Sequence, residues 1–164
     1  MEGTGYKQLK RSKTLEEVLQ TAMIFERTAQ DFYRDLCDRV SKPLRSLARE
    51  LADEEQRHYD LFRDLLKRED VREVVKQHIK MPANDHRFSD YIQLPDLGES
   101  PDDQAVLQYA LGREQAAMEQ YTALAAESPP GPIHDLFAFL AKEELAHKSE
   151  LEKRYYELVY PSNV

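Results

Sequence analysis

The sequence predicts an all-α chain folded as an antiparallel four-helix bundle, and three observations carry that reading. The composition favours helix: 164 residues contain five Gly and no Trp, with Ala, Leu, Glu, Lys, Arg and Gln abundant. A polar motif recurs, because L-A-D-E-E-Q-R-H at Leu51–His58 returns as L-A-K-E-E-L-A-H at Leu140–His147, giving a shared frame L-A-x-E-E-x-x-H. A second motif recurs with it: Glu26 precedes Tyr33 by seven residues, and Glu114 precedes Tyr121 by seven. The shifts agree, 114 − 26 = 88 and 144 − 55 = 89, so the chain reads as two copies of one helical hairpin. Each copy carries a lone Glu on its first helix and Glu-x-x-His on its second.

The turns support this arrangement. Residues equidistant from the turn of an antiparallel hairpin share one height. The midpoint of Glu26 and Glu55 falls near position 40, at Val40-Ser41-Lys42-Pro43, where the proline disfavours helix just before it. The midpoint of Glu114 and Glu144 falls near 129, inside Ser128-Pro129-Pro130-Gly131-Pro132, the strongest turn signal in the chain. Each lone Glu is therefore expected level with its partner's Glu-x-x-His.

Taken in order, residues 1–13 are polar with two Gly and read as a flexible N-terminal arm. Thr14-Leu15-Glu16-Glu17 is a capping box that starts the first helix. Leu15, Val18, Leu19, Ala22, Phe25, Ala29, Phe32 and Leu36 then recur at helical spacing and mark a buried stripe ending near Val40. Ala22 and Ala29 flank Glu26 and leave room for its carboxylate to point inward. The second helix runs from about Ser41 to Lys67, with Leu44, Leu47, Ala48, Leu51, Ala52, Glu55, His58, Tyr59 and Phe62 on its inner face. Glu55 and His58 thus continue an apolar ladder, a costly place for charge unless a partner or a metal neutralises it.

Residues 68–100 form a connection too long for a simple turn, which fits a crossover between the second and third helices. Within it, Asp70 is expected to cap a short helix through Val71, Val74, Val75, His78 and Ile79, ended by Met81-Pro82. Pro95 and Gly98 keep the rest irregular, and His78 and His86 are read as surface residues. The third helix is expected to open with Ser100 as cap, Pro101 at the first position, and Asp102 and Asp103 at the positive end. Its inner face carries Val106, Leu107, Ala110, Leu111, Glu114, Ala117, Met118, Tyr121 and Leu124. The fourth helix carries Leu136, Phe137, Leu140, Ala141, Glu144, His147, Leu151 and Tyr155. It fades near Leu158 and is stopped by Pro161. The bundle thus spans 14–157, with a tail at 158–164.

Composition narrows the function classes. A net charge of −8 argues against nucleic acid or an anionic membrane surface as partner. The single cysteine, Cys37, excludes an internal disulfide and any four-cysteine centre within these residues. No basic-then-apolar leader opens the sequence and no apolar run approaches the roughly 18 residues of a membrane span, so a cytoplasmic protein is expected.

Positions i and i+3 of a helix share a face, so each Glu-x-x-His can grip one metal centre. With 18 Glu in the chain one such pair would mean little; the doubled pattern, level with two lone Glu, carries the weight. Glu26, Glu55, His58, Glu114, Glu144 and His147 are expected to converge at mid-bundle. Four carboxylates and two imidazoles are the ligand set of carboxylate-bridged di-iron and di-manganese bundles. Two divalent cations supply +4 against −4, and mixed oxygen and nitrogen ligands suit iron or manganese better than structural zinc.

These residues resemble the rubrerythrin branch of the ferritin-like superfamily over about residues 14–157. The resemblance rests on Glu26 with Tyr33, Glu55-x-x-His58, Glu114 with Tyr121, and Glu144-x-x-His147. It implies a ferritin-like bundle in which Glu55 and Glu144 bridge two iron ions. Glu26 and His58 would then be terminal ligands to one ion, and Glu114 and His147 to the other. Tyr33 and Tyr121 would hydrogen-bond ligand carboxylates. The implied activity is reduction of hydrogen peroxide or dioxygen with electrons from an external donor such as a rubredoxin-like protein, with ferroxidase activity close behind.

Two departures stand out. Rubrerythrins typically carry a further Glu three residues after the first Glu of the third helix; that position is Ala117 here, and Glu119 is misplaced to substitute. The four-cysteine rubredoxin module of classical members is also missing from the sequence. Residues 158–164 are too short for the extra helix of a ferritin cage, so a homodimer is expected. Two other readings stay open: iron binding or sequestration without turnover, and a metal-free helical interaction module.

Overall fold

Thr14 opens the first helix of the computed structural model, which describes residues 12–81, 88–92, 94–98 and 101–161. The capping box forms: the Thr14 hydroxyl accepts the Glu17 N–H at 3.1 Å, and the Glu17 carboxylate accepts the Thr14 N–H at 3.3 Å. Helix α1 runs Leu15–Leu36, α2 Lys42–Leu66, α3 Asp103–Glu127 and α4 Pro132–Val159. α1 packs on α2 as one hairpin and α3 on α4 as the other. The turns fall where the motif midpoints put them.

α1 stops at Leu36 rather than near Val40. Residues 37–40 tighten into a turn, where the N–H groups of Arg39 and Val40 both donate to the Leu36 carbonyl, at 2.9 and 3.1 Å. In the second turn Gly131 takes φ +142°, a conformation unfavourable for any residue with a β-carbon, and Pro132 starts α4 where no N–H is needed.

The expected start of α3 is corrected. Asp102 is the cap, accepting the Ala105 N–H at 2.8 Å, while Ser100 lies outside the described residues. Asp is as good a cap as Ser, so two candidates two residues apart competed and the second won. Asp103 has a further task. It accepts the Ser41 hydroxyl at 2.6 Å and the Ser41 N–H at 3.3 Å, tying the first hairpin's turn to the head of the second hairpin.

The connection and the arm also differ from expectation. No α-helix forms over 71–79. Glu69–Val71 and Val74–Lys76 are single 3-10 turns, Arg68 rather than Asp70 precedes the first of them, and His78–Lys80 is a short strand, β2. β2 pairs antiparallel with β1, Ser12–Thr14, in the register Lys13 to Ile79. The β-branched residues of this stretch favour extended backbone once a partner strand is available, and the last residues of the expected loose arm supply it. Val71, Val75 and Ile79 still bury their side chains, and His78 is exposed as read. Residues 1–11, His86 and 162–164 lie outside the described residues.

The connection seals the bundle. Phe88 is buried and stacks on Phe25 with ring centroids 4.0 Å apart. Tyr91 lies against α3 at Gly112, where an added β-carbon would stand 2.3 Å from its hydroxyl oxygen. Two apolar clusters result. One contains Leu15, Leu19, Phe25, Phe62, Phe88, Tyr121, Phe137 and Leu140; the other contains Ala29, Phe32, Tyr33, Leu36, Leu51, Leu107, Ala110 and Leu151. Among the described residues no helix is long and apolar enough to cross a membrane.

Replacing the Thr14 cap by Ala (T14A) should lower the unfolding free energy by about 1 kcal/mol, or roughly 2–4 °C in Tm. Denaturant and thermal unfolding measure this, and the metal stoichiometry should not change.

Candidate metal centre

All six expected ligand residues meet in one buried layer. Glu26, Glu55, Glu114 and Glu144 are completely buried, His58 almost so, and His147 is 8% exposed. The two imidazole rings face each other nearly parallel with centroids 5.9 Å apart. Each Nδ1 marks one pole of the layer. At the first pole, His58 Nδ1 lies 3.6 Å from Glu26 Oε2, 3.5 Å from Glu55 Oε2 and 3.1 Å from Glu144 Oε1. At the second, His147 Nδ1 lies 3.7 Å from Glu114 Oε2, 3.9 Å from Glu55 Oε1 and 4.0 Å from Glu144 Oε2. Glu55 and Glu144 therefore present one oxygen to each pole, and Glu26 and Glu114 serve one pole apiece. Two sets of four potential ligand atoms result, each set within 4.8 Å and sharing Glu55 and Glu144.

The tyrosines cross between hairpins. Tyr121 on α3 donates to Glu26 Oε1 on α1 at 2.7 Å, and Tyr33 on α1 donates to Glu114 Oε1 on α3 at 3.0 Å. Burial first, and then the carboxylates they serve, push both phenols upward, so both remain donors. Each bond fixes one oxygen of a lone Glu and leaves Oε2 turned to its pole.

Three residues that the sequence reading did not assign belong to the site. Glu54 and Glu143, again 89 apart, stand outside the layer and face the histidines of the opposite hairpin: Glu54 Oε2 bonds His147 Nε2, and Glu143 Oε1 lies 3.9 Å from His58 Nε2. At His147 the carboxylate bonded to Nε2 selects the tautomer that leaves Nδ1 a free acceptor, the form a metal needs; His58 Nε2 makes no such bond. The doubled Glu in L-A-x-E-E-x-x-H was the available signal. The third is Arg113, 1% exposed, whose Nη1 donates to Glu114 Oε1 at 2.9 Å and lies 3.4 Å from Glu55 Oε1. A basic residue inside the buried run of α3, next to Glu114, was its signal. Ala117 is buried and brings no further carboxylate, and Glu119 is instead bonded to Gln115.

The fit to a metal follows from what is left unpaired. Glu26 Oε2, Glu55 Oε2, Glu114 Oε2, both Glu144 oxygens and both His Nδ1 atoms are buried without a hydrogen-bond partner. An unsatisfied buried charged group costs several kcal/mol, so seven unpaired atoms on six such side chains, all facing the same two poles, call for cations. Oxygen and imidazole donors suit iron or manganese.

Without metal, protons take over part of that task. Burial, with the Glu26 charge, pushes Glu55 up to about 8; burial, with Glu114 and Glu55, pushes Glu144 up as well. Burial opposes charge on Glu26 and Glu114 too, but is outweighed. The adjacent Glu55 carboxyl and His58 imidazole hold Glu26 at about 2, and Arg113 above all holds Glu114 well below the usual carboxylate range. Burial likewise disfavours the imidazolium forms. The carboxylates of Glu144, Glu26 and Glu55 clustered around its Nδ1 override this at His58, which is raised, and Glu114 raises His147 to about 9.

Raised folded-state values add stability that is full below the unfolded values, 4.5 for Glu55 and 6.5 for His147, and is lost as pH climbs through about 8 and about 9. The depressed carboxylates have given their full contribution above 4.5 and do not oppose this loss. The Tm of the metal-free protein should therefore fall between pH 6.5 and 9. Metal binding should tighten over the same window and release protons. Calorimetry across that range measures both, and a flat metal-free profile would contradict the assignment.

Comparison with known proteins agrees with the geometry. Residues 8–93 match the Rubrerythrin family. The fold is shared with a crystallised Thermotoga maritima protein described as a candidate ferritin-like diiron-carboxylate protein. The TM-score is 0.69 at 20% identity, over 90% of this chain and 97% of that one. No curated protein is a significant match. The match covers more than half of the residues, and with the all-α bundle and the buried Glu/His cluster it leads to one conclusion: this chain belongs to the Rubrerythrin family.

Proposed function

We propose that the chain is a di-iron oxidoreductase of rubrerythrin type, which reduces hydrogen peroxide or dioxygen with electrons from an external donor. The observation that carries this reading is the pair of four-ligand poles joined by Glu55 and Glu144. Glu26, Glu55, His58, Glu114, Glu144 and His147 would hold an iron pair, which would supply the two electrons that, with two protons, convert one peroxide into two waters.

The protein's own contribution is to hold the ligands and govern access. Tyr33 and Tyr121 lock the outer oxygens of the terminal carboxylates. The apolar clusters above and below the layer keep bulk water out. Glu54, half-buried and bonded to His147 Nε2, stands between the centre and solvent. Cys37 is the single cysteine of the sequence, so a four-cysteine electron relay cannot be built from these residues, and a separate rubredoxin-like protein fits the role of donor. Ala117 favours a second reading, ferroxidase activity on added ferrous iron, because the extra carboxylate typical of rubrerythrins is absent.

Anaerobically reduced, iron-loaded protein should develop near-ultraviolet absorption on mixing with peroxide, faster than free ferrous iron and faster than with dioxygen. A faster response to dioxygen with turnover of excess ferrous iron would favour the ferroxidase. Binding of two irons with no acceleration by either oxidant would leave iron sequestration. Y33F and Y121F should each slow the reaction roughly tenfold while retaining iron, the usual scale for loss of a group that orients a ligand.

A further inference from the structure

The repeat supplies almost every part of the centre twice: Glu26 and Glu114, Tyr33 and Tyr121, Glu54 and Glu143, Glu55 and Glu144, His58 and His147. The residue before the lone Glu breaks the rule. It is Phe25 in the first hairpin and Arg113 in the second, 113 − 25 = 88. The two side chains meet, with the guanidinium carbon 4.2 Å from the Phe25 ring centroid. Both are buried, so the Arg113 charge is not dispersed into water, and its Nη2 has no hydrogen-bond partner.

That charge is not shared equally between the poles. Arg113 Nη1 sits on Glu114 Oε1 and near Glu55 Oε1. Glu114 serves only the His147 pole, and Glu55 Oε1 is the oxygen that faces it. Glu26, at the His58 pole, receives a tyrosine hydroxyl and no arginine. The acid nearest His147 from outside, Glu54, is partly exposed and already paired with Arg57 at 3.3 Å, so it does not cancel the buried cation.

We propose that Arg113 makes the two metal positions unequal, so that the Glu26–His58 position fills first and tightly, and the Glu114–His147 position second and more weakly. A fixed unit charge beside two ligand oxygens repels a divalent ion strongly in a medium of low dielectric, enough to separate the two affinities by at least about tenfold. The inference rests on the metal-pair reading above and assigns Arg113 as a positioning residue that sets the order of loading.

The test uses Mn2+ alone with the full metal-free chain at neutral pH. Calorimetric titration should show two steps at least about tenfold apart. Crystals prepared with one equivalent should give anomalous density at the Glu26–His58 pole. R113Q should bring the second step at least about tenfold closer to the first, whereas R113K, which keeps the charge, should preserve the gap. Should R113Q fail to fold, the one-equivalent crystals of the unaltered chain still decide. Equal occupancy of the poles, first occupancy at His147, or an unchanged gap in folded R113Q would overturn the inference and leave the metal site standing. Absence of any Mn2+ binding would overturn both.

Discussion

Four carboxylates buried in one layer set the terms for the rest of the molecule. Each would cost several kcal/mol if left charged and unpaired in an apolar interior. Around Glu26, Glu55, Glu114 and Glu144 the chain places two imidazoles, two tyrosine hydroxyls and one guanidinium, and it still leaves seven inward-facing polar atoms without partners. A bundle selected for stability alone would fill these positions with Leu. Bound cations would recover the cost, since they would satisfy the atoms that protein groups do not.

Duplication explains how so precise a layer is built from so simple a chain. One hairpin supplies a lone Glu with its tyrosine a turn or two further along, and a Glu-Glu-x-x-His. Two hairpins face to face make each tyrosine serve the other's carboxylate and each outer Glu face the other's histidine. The two tyrosine bonds and the Glu54–His147 bond couple the halves, so neither hairpin can complete its own pole. The connection between them does more than cover distance: Phe88 stacks on Phe25 beside the layer, and β2 clasps the segment that enters α1.

The six ligand candidates and both tyrosines were legible because their spacing obeys helical geometry and repeats at 88 and 89 residues. The turns were legible because proline and glycine act locally. The connection was not: Val71 to Ile79 has a helical apolar spacing, yet its conformation depends on pairing with Ser12–Thr14, a contact between residues more than sixty apart in sequence. The cap at Asp102 was missed by two residues because Ser100 and Asp102 have similar local preference. Arg113 escaped because a basic residue in an inner-face run looks like a helix-face charge until the packing shows it has no route to water. Glu54 and Glu143 were in the motif all along, but which Glu of a doublet turns inward depends on helix rotation.

The central claim is that the two hairpins enclose a pair of cations bridged by Glu55 and Glu144. Iron K-edge X-ray absorption on the iron-loaded protein tests it most directly. The account predicts two irons per chain, oxygen and nitrogen neighbours, and an iron–iron scattering path of about 3.5–4 Å. A single iron per chain, or iron with no metal neighbour at that distance, would contradict it.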